Sequence, residues 1–274
     1  MMTPDNKDEI RAEVRTHYGE VARGSQSCCG PGCCTPGAAA PGGSAAQTAL
    51  QLGYSAGDLA TIPEGANLGL GCGNPQAIAA LQAGETVVDL GSGAGFDCFL
   101  AARQVGSSGR VIGVDMTADM IGRARQNAAK AQVTNVEFRL GEIEHLPVAD
   151  QIADVIISNC VINLSPDKPA VFREAFRVLR PGGRLAISDV VAFGPLPADV
   201  RRDLALYTGC LAGAATIPET RQWLADAGFV DIEVKVDQAA TAAMAAMLPD
   251  DQDLGKLGAS ASIEARRPAG GAKA

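Results

Sequence analysis

The chain has 274 residues, 47% hydrophobic and 20% charged, enough apolar material for the core of one large domain or of a domain with appendages. Lys and Arg total 23 against 31 Asp and Glu, a net charge of −8, which argues against the phosphate-neutralising surface of a nucleic-acid binder. No apolar run approaches the ~18–20 residues of a membrane-spanning helix. The charged N-terminus lacks the apolar stretch of a secretory signal, so a cytoplasmic address is expected.

Residues 5–24 read as a helix, with Asp5 placed to cap it and Ile10, Val14, Tyr18 and Val21 recurring at helical spacing. Residues 25–47 are rich in Gly, Pro, Ser and Cys without periodicity and read as loop. A short helix over 54–59 and a turn-rich stretch over 64–75 follow. From residue 85 short apolar runs alternate with amphipathic ones: strands at 86–90, 110–115, 136–142, 153–159 and 183–191, helices at 99–106, 119–132 and 166–180. Continuous apolar strands separated by helices predict an α/β, doubly wound, mostly parallel sheet covered on both faces. Residues 191–222 interrupt the alternation; 220–237 read as helix then strand, 239–248 as an Ala-rich helix and 260–268 as a last strand. That closing strand pair predicts an antiparallel edge on the parallel sheet.

Asp89-Leu90-Gly91-Ser92-Gly93-Ala94-Gly95 follows the first strand and opens a helix. Its glycines permit a sharp turn and close backbone approach of a ligand, and the helix N-terminus adds N–H groups and positive potential. The spacing is G-x-G-x-G, not the G-x-G-x-x-G of a dinucleotide fingerprint, which disfavours a nicotinamide-cofactor turn. Asp115 ends the second strand, where a carboxylate can hold both hydroxyls of a ribose. GEIEHLP (141–147) follows the third strand, and LRPGGRL (179–185) introduces the fifth.

With DLGSGAGFD (89–97) and VIGVDMTADMI (111–121), this set resembles the class I S-adenosylmethionine-dependent methyltransferases over about residues 75–190. The resemblance implies a Rossmann-like methyltransferase sheet with an antiparallel last strand. It also implies that Asp89, Gly91, Ser92 and Gly93 line the methionine end of the cofactor and that Asp115 holds the ribose. Met116 would cover the adenine face, Glu142 and Ile143 would meet its edge, and Asn159 would close the strand-four side.

Eight cysteines and only two histidines, His17 and His145, argue against Ser-His-Asp catalysis and His-rich zinc sites, and favour a soft ligand held by thiolates. Cys28, Cys29, Cys33 and Cys34 crowd together, whereas Cys72, Cys98, Cys160 and Cys210 are scattered. NLGLGCGNP around Cys72, SNCVINL around Cys160 and YTGCLAGA around Cys210 resemble arsenite methyltransferases, and the likeness runs from Tyr18 through Pro268. By that resemblance Cys72, Cys160 and Cys210 bind trivalent arsenic, and Cys28 or Cys29 exchanges a disulfide with them. Cys33 and Cys34 are extra to the pattern; a passive loop and a zinc site are the alternative readings of the cluster. A lone cysteine is more often a small buried hydrophobe, the reading kept for Cys98. Cys160 also follows the fourth strand's carboxyl end, where open α/β sheets bind substrates. Trivalent arsenic on three thiolates presents a lone pair to a sulfonium methyl, so no general base is needed. Partly positive surroundings are expected, to supply thiolates near neutral pH.

His145 reads as structural; for the helix carrying His17 and Tyr18 the resemblance implies a flap near the cofactor, and the residues read equally as a packed amphipathic helix. The expected layout is an N-terminal helix and Cys-rich loop over the site (1–74), a cofactor-binding domain (75–190), and an insertion with C-terminal strands (191–274). The expected activity is methyl transfer from S-adenosylmethionine to thiol-bound arsenite, for detoxification. Thioredoxin or glutathione would be the reductant, and the enzyme would act as a monomer. The rivals are a C- or O-methyltransferase with incidental cysteines and a metalloid sensor; no basic DNA-binding helix pair supports the latter.

Overall fold

Alternating apolar and amphipathic runs fold here as one mixed sheet with helices against both faces. The computed structural model describes residues 7–24, 44–201, 203–245 and 257–270. Cys28, Cys29, Cys33 and Cys34 lie outside them. Among the described residues four helices precede the sheet: α1 (Lys7–Arg23), α2 (Ala45–Gln51), α3 (Ala56–Leu59) and α4 (Pro75–Ala79). Then come β1 (Thr86–Leu90), α5 (Phe96–Val105), β2 (Arg110–Asp115), α6 (Ala118–Lys130), β3 (Val136–Leu140) and β4 (Ala153–Asn159). A 3₁₀ turn (Ile162–Leu164) leads to α7 (Lys168–Val178), β5 (Leu179–Ala192), α8 (Ala198–Arg201) and α9 (Leu204–Thr208). The chain closes with β6 (Ala215–Thr216), α10 (Ile217–Ala227), β7 (Val230–Val236), α11 (Gln238–Ala245) and β8 (Gly258–Arg266).

The sheet order is β3-β2-β1-β4-β5-β8-β7, with β6 beside the end of β5. Strands β1 to β5 are mutually parallel, and β8 is antiparallel to both β5 and β7. The closing strand pair, β8 and β7, thus forms the antiparallel edge region that the sequence suggested. β8 slots between β5 and β7, and β7 is the edge. Burial accounts for this. Ala259, Ala261, Ile263 and Ala265 of β8 are buried, whereas β7 carries Asp231, Glu233 and Lys235 exposed or half-exposed. Charged side chains suit an edge because they discourage pairing with another chain.

Successive strand residues point to opposite faces, and the core divides accordingly. Val88, Leu90, Ile112 and Ile156 pack with Phe172 of α7 and Leu224 of α10. Val87, Val111, Val155 and Ile157 face the other way, onto Phe99 of α5 and Ile121 of α6. Each fully buried large side chain contributes about 1.5–3 kcal/mol relative to exposure. The helices begin where their caps predict. Asp167 accepts the Ala170 amide at 3.1 Å to start α7, and Thr216 and Glu219 form a capping box on α10. α5 starts at Phe96, three residues earlier than the apolar run indicated, because Gly95 at φ 96° turns the chain straight into the helix. The segment after β5 folds back as α8 and α9, carrying Cys210 to the sheet's carboxyl end beside Cys160.

Candidate active site

A cavity of about 1140 Å³, counting its open mouth, lies along the carboxyl ends of β1, β2 and β4. Asp89, Gly91, Ser92, Gly93, Asp115, Met116, Ile143 and Asn159 line it, with Cys160 in its wall. Gly91, at φ 71°, holds the first turn against Val161: a Cβ there would fall 2.3 Å from Val161 Cγ2. The Gly93 amide donates to Asp115 Oδ2 at 2.9 Å and the Thr117 amide to Oδ1 at 2.8 Å, fixing the carboxylate at the end of β2.

The cavity is acidic. Burial raises Asp89, Asp97 and Asp115 above the usual carboxylate range, and Asp97 and Asp115 raise Asp89 further. Asp97 accepts from Tyr54 Oη at 2.8 Å and from Asn159 Nδ2 at 3.1 Å, and Cys98 Sγ donates to Asp89 at 3.1 Å. None of the three carboxylates is ion-paired among the described residues. The Ser92 hydroxyl is buried without a hydrogen-bond partner among the described residues. Buried carboxylates without cations call for a cationic ligand. S-adenosylmethionine fits that demand, with a sulfonium, an ammonium and a ribose diol.

Glu142 is placed differently from its neighbours. Its carboxylate pairs with Arg11 at 3.4 Å and Arg15 at 3.2 Å, and it borders an adjoining depression with Met116 and Thr117. Ile143 and Glu144 face the main cavity instead. The arginines belong to α1, which crosses the cavity mouth. Lys7 pairs with Asp167 at 2.7 Å, Arg11 with Glu144 at 3.2 Å and Arg23 with Asp119, while Tyr18 Oη donates to the Thr208 carbonyl at 3.0 Å. Tyr18 lines the cavity and His17 does not.

Cys72, Cys160 and Cys210 converge, all buried and unoxidised. The Cys72 and Cys160 sulfurs lie within 4.8 Å of each other, and Cys72 Sγ donates to the Ser188 carbonyl at 3.7 Å. Cys210 Sγ also donates to the Cys160 carbonyl at 2.9 Å, linking residues 50 apart in sequence. Cys160 and Cys210 have φ of 58° and 66°, the left-handed region that β-carbon-bearing residues avoid at a cost of about 1–3 kcal/mol. The Cys72 loop is tied down from both sides. Its amide donates to Asn159 Oδ1 at 3.1 Å, and its carbonyl accepts from Ser260 Oγ at 2.7 Å. The flanking glycines are required by close approach: a Cβ at Gly71 would lie 2.8 Å from Asn159 Nδ2, and one at Gly73 would lie 2.7 Å from Ser188 Cβ.

The electrostatics of the cluster reverse the expectation of positive surroundings. Burial pushes the Cys72 thiol up to about 11, with Asp189 adding to the rise. Cys160 stands well above the ordinary thiol range: a hydrogen bond from Cys210 pulls it down, but the bond to Cys72, burial and Asp189 outweigh it. Cys210 is raised by its bond to Cys160 and by burial. The three are thiols at neutral pH, and their protons must leave as a soft ion arrives. Cys98 stays apart, fully buried on α5, with its thiol on Asp89 rather than on the other cysteines.

Four residues of this site escaped motif reading. Asp97 closes the DLGSGAGFD string, so its position was a usable signal. Asp189 is a charge inside the apolar run of β5, also a usable signal, since buried charges need a reason. Tyr54 and Gln76, whose Nε2 donates to the Asp97 carbonyl at 2.9 Å, come from separate elements with no motif.

Sheet order, glycine turn and acidic cavity define an S-adenosylmethionine-dependent methyltransferase, and residues 81–228 match the family model described as a methyltransferase domain. The chain is 51% identical over 272 residues to the arsenite methyltransferase of Halobacterium salinarum, covering 98% of this chain and 69% of that protein. It is 39% identical over 175 residues to the arsenite methyltransferase of Aquipseudomonas alcaligenes, covering 61% of this chain and 50% of that one. The crystal structure of an arsenic(III) S-adenosylmethionine methyltransferase from Chlamydomonas reinhardtii superposes with a TM-score of 0.60 at 33% identity, over 82% of this chain and 73% of that one. The chain belongs to the arsenite methyltransferase family.

Proposed function

We propose that this chain methylates trivalent arsenic bound by Cys72, Cys160 and Cys210, as one step of arsenic detoxification. The observation that carries the reading is the meeting of three buried thiols, from three separate segments, at a cavity built for a cationic cofactor. S-adenosylmethionine supplies an electrophilic sulfonium methyl when bound. Asp89, Gly91, Ser92 and Gly93 hold its methionine end, Asp115 its ribose, and Met116 and Ile143 its adenine, with Glu142 acting through the arginines of α1. Asn159 joins the two halves, since its amide nitrogen reaches Asp97 and its oxygen holds the Cys72 amide. The thiols fix arsenic as a pyramid, and the protein's remaining work is alignment of the lone pair with the methyl group. Arsenic arrives as a thiol conjugate, because thiol-for-thiol exchange returns each cysteine proton to the departing thiol.

In this reading residues 1–74 cover the site, 75–190 bind the cofactor and 191–274 supply Cys210 and complete the sheet. The enzyme works as a monomer in the cytoplasm, where thioredoxin or glutathione keeps its cysteines reduced. Cys28 or Cys29 serves as the disulfide partner, the role that the family resemblance implies for one of them. Among the described residues no helix is long and apolar enough to cross a membrane. The test is incubation with arsenite, glutathione and methyl-labelled cofactor, followed by product speciation. Label should appear on arsenic, and Cys160→Ser should lose at least a hundredfold in rate. Label on arsenic at the wild-type rate in Cys160→Ser would overturn the thiolate site. Absence of any arsenic product in the wild type would overturn the function.

A further inference from the structure

Asp189 is the charged group of the site that the mechanism above leaves unused. It lies on β5, 1% exposed, with a carboxylate oxygen within 4.8 Å of the sulfurs of both Cys72 and Cys160. Both its oxygens are saturated. Oδ2 accepts the Ile162 amide at 2.8 Å and the Asn163 amide at 3.3 Å. Oδ1 accepts Asn163 Nδ2 at 2.9 Å and the Val190 amide at 2.7 Å. A carboxylate so engaged has no lone pair free to ligate an ion. It is instead a fixed negative charge, stabilised by four N–H donors and by the nearby ammonium of Lys168.

A fixed anion within 4.8 Å of two thiols does not help to form thiolates, because like charges repel. Its use must lie later in the reaction. Three thiolates on trivalent arsenic make a neutral centre. In methyl transfer the arsenic lone pair forms the arsenic–carbon bond as the carbon–sulfur bond breaks, and the electron pair of the broken bond stays on the cofactor sulfur. The positive charge of the sulfonium thereby passes to arsenic, with no proton, oxidant or reductant entering the step. Asp89, Asp97 and Asp115 line the cofactor cavity and favour the charge before transfer; Asp189, outside that lining and within 4.8 Å of the Cys72 and Cys160 sulfurs, favours it afterwards.

We propose that Asp189 is a preorganised electrostatic stabiliser of the positive charge that develops on cysteine-bound arsenic during methyl transfer. This rests on the arsenic site proposed above. Such groups act strongly because they are oriented before the reaction, in a dry site, and need no rearrangement as charge appears.

The test separates loading from transfer. Wild type and Asp189→Asn are loaded with arsenite and glutathione, bound arsenic is counted by mass spectrometry, and single-turnover methyl transfer is followed by rapid quench with labelled cofactor. Asp189→Asn should bind one arsenic and keep cofactor affinity within about threefold, while transferring methyl roughly a hundredfold more slowly. A loaded Asp189→Asn that transfers within about threefold of wild type overturns the proposal. Wild type that loads no arsenic overturns the underlying site and the proposal with it. If Asp189→Asn does not fold or load, Lys168→Met decides at about pH 7, between the Asp189 value of about 6 and the Lys168 value of about 8, where both carry their charges. Removing the cation deepens the negative field, so the loaded variant should transfer at or above the wild-type rate. A loaded Lys168→Met slowed about tenfold overturns the electrostatic role.

Discussion

Asp115 shows how much one carboxylate contributes when its geometry is already set. Two backbone amides hold it at the end of β2, and burial raises it although those amides pull it down. Asp115→Asn keeps one acceptor oxygen but loses the charge and one acceptor for the ribose hydroxyls. Cofactor affinity should fall by roughly 1.5–3 kcal/mol, the scale of hydrogen bonds to a charged group. Calorimetric titration checks it, and unchanged affinity would place the ribose elsewhere. The cysteines follow a related logic. Cys160 and Cys210 hold left-handed backbone that glycine would adopt more easily, and such strain persists where the surrounding structure over-determines it. The ties are the Cys160 amide donating to the Ser188 carbonyl at 2.8 Å and the Cys210 amide donating to the Tyr207 carbonyl at 2.9 Å.

The decisive element is the loop from Asn67 to Asn74, which reaches the sheet by glycine contact. Gly73 sits so close to β5 that a methyl group would meet Ser188 Cβ at 2.7 Å. Gly73→Ala should therefore push the loop outward, destabilise the fold by about 1–3 kcal/mol and weaken arsenic binding at least tenfold. Gly73→Ala/Ser188→Gly should recover most of both losses, because the second change removes the atoms in the way. Thermal unfolding and arsenic stoichiometry on the four proteins of that cycle measure the coupling. Additive effects would show that the loop is not positioned by this contact. α1 is the opposite kind of element. It is held to the cavity rim by Lys7, Arg11, Arg15 and Arg23, through ion pairs that are part-buried at Arg11 and half-exposed at Arg23. Exposed pairs contribute little each, so α1 is a cover that salt should loosen.

Across the whole molecule the carboxylates divide into two sets with opposite pH behaviour. Burial raises Asp89, Asp97, Asp115 and Asp189, the last to about 6. Arginine hydrogen bonds lower Glu137 to about 2 and also depress Glu174. A raised carboxyl contributes stability below the ordinary range near 4, and that contribution is lost as pH climbs through the native value. A depressed one contributes above the ordinary range and is lost on acidification. The ligand-free protein should therefore be most stable near about pH 5, with a melting temperature that falls towards about pH 7. His17, depressed by burial, works against this in the same window, but it is a single half-buried group. S-adenosylmethionine, by bringing positive charge to Asp89, should flatten that fall. Scanning calorimetry with and without cofactor checks both statements, and a melting temperature rising over that window without ligand would contradict them.

What consecutive residues encode was legible before any coordinates. Strand and helix alternation, the turn from Asp89 to Gly95, the carboxylate of Asp115 and the strings around the three cysteines are local patterns, set by side-chain period and by the backbone freedom of glycine. What depends on distant segments meeting was not. The insertion of β8 between β5 and β7 depends on which strand has an apolar surface to bury on both faces. The pairing of Glu142 with arginines of α1 joins residues 127 or more apart in sequence. The protonated state of the thiols follows from desolvation, and the charge of Asp189 beside them is kept against desolvation by four N–H donors; both belong to the packed interior, and no stretch of sequence carries them alone.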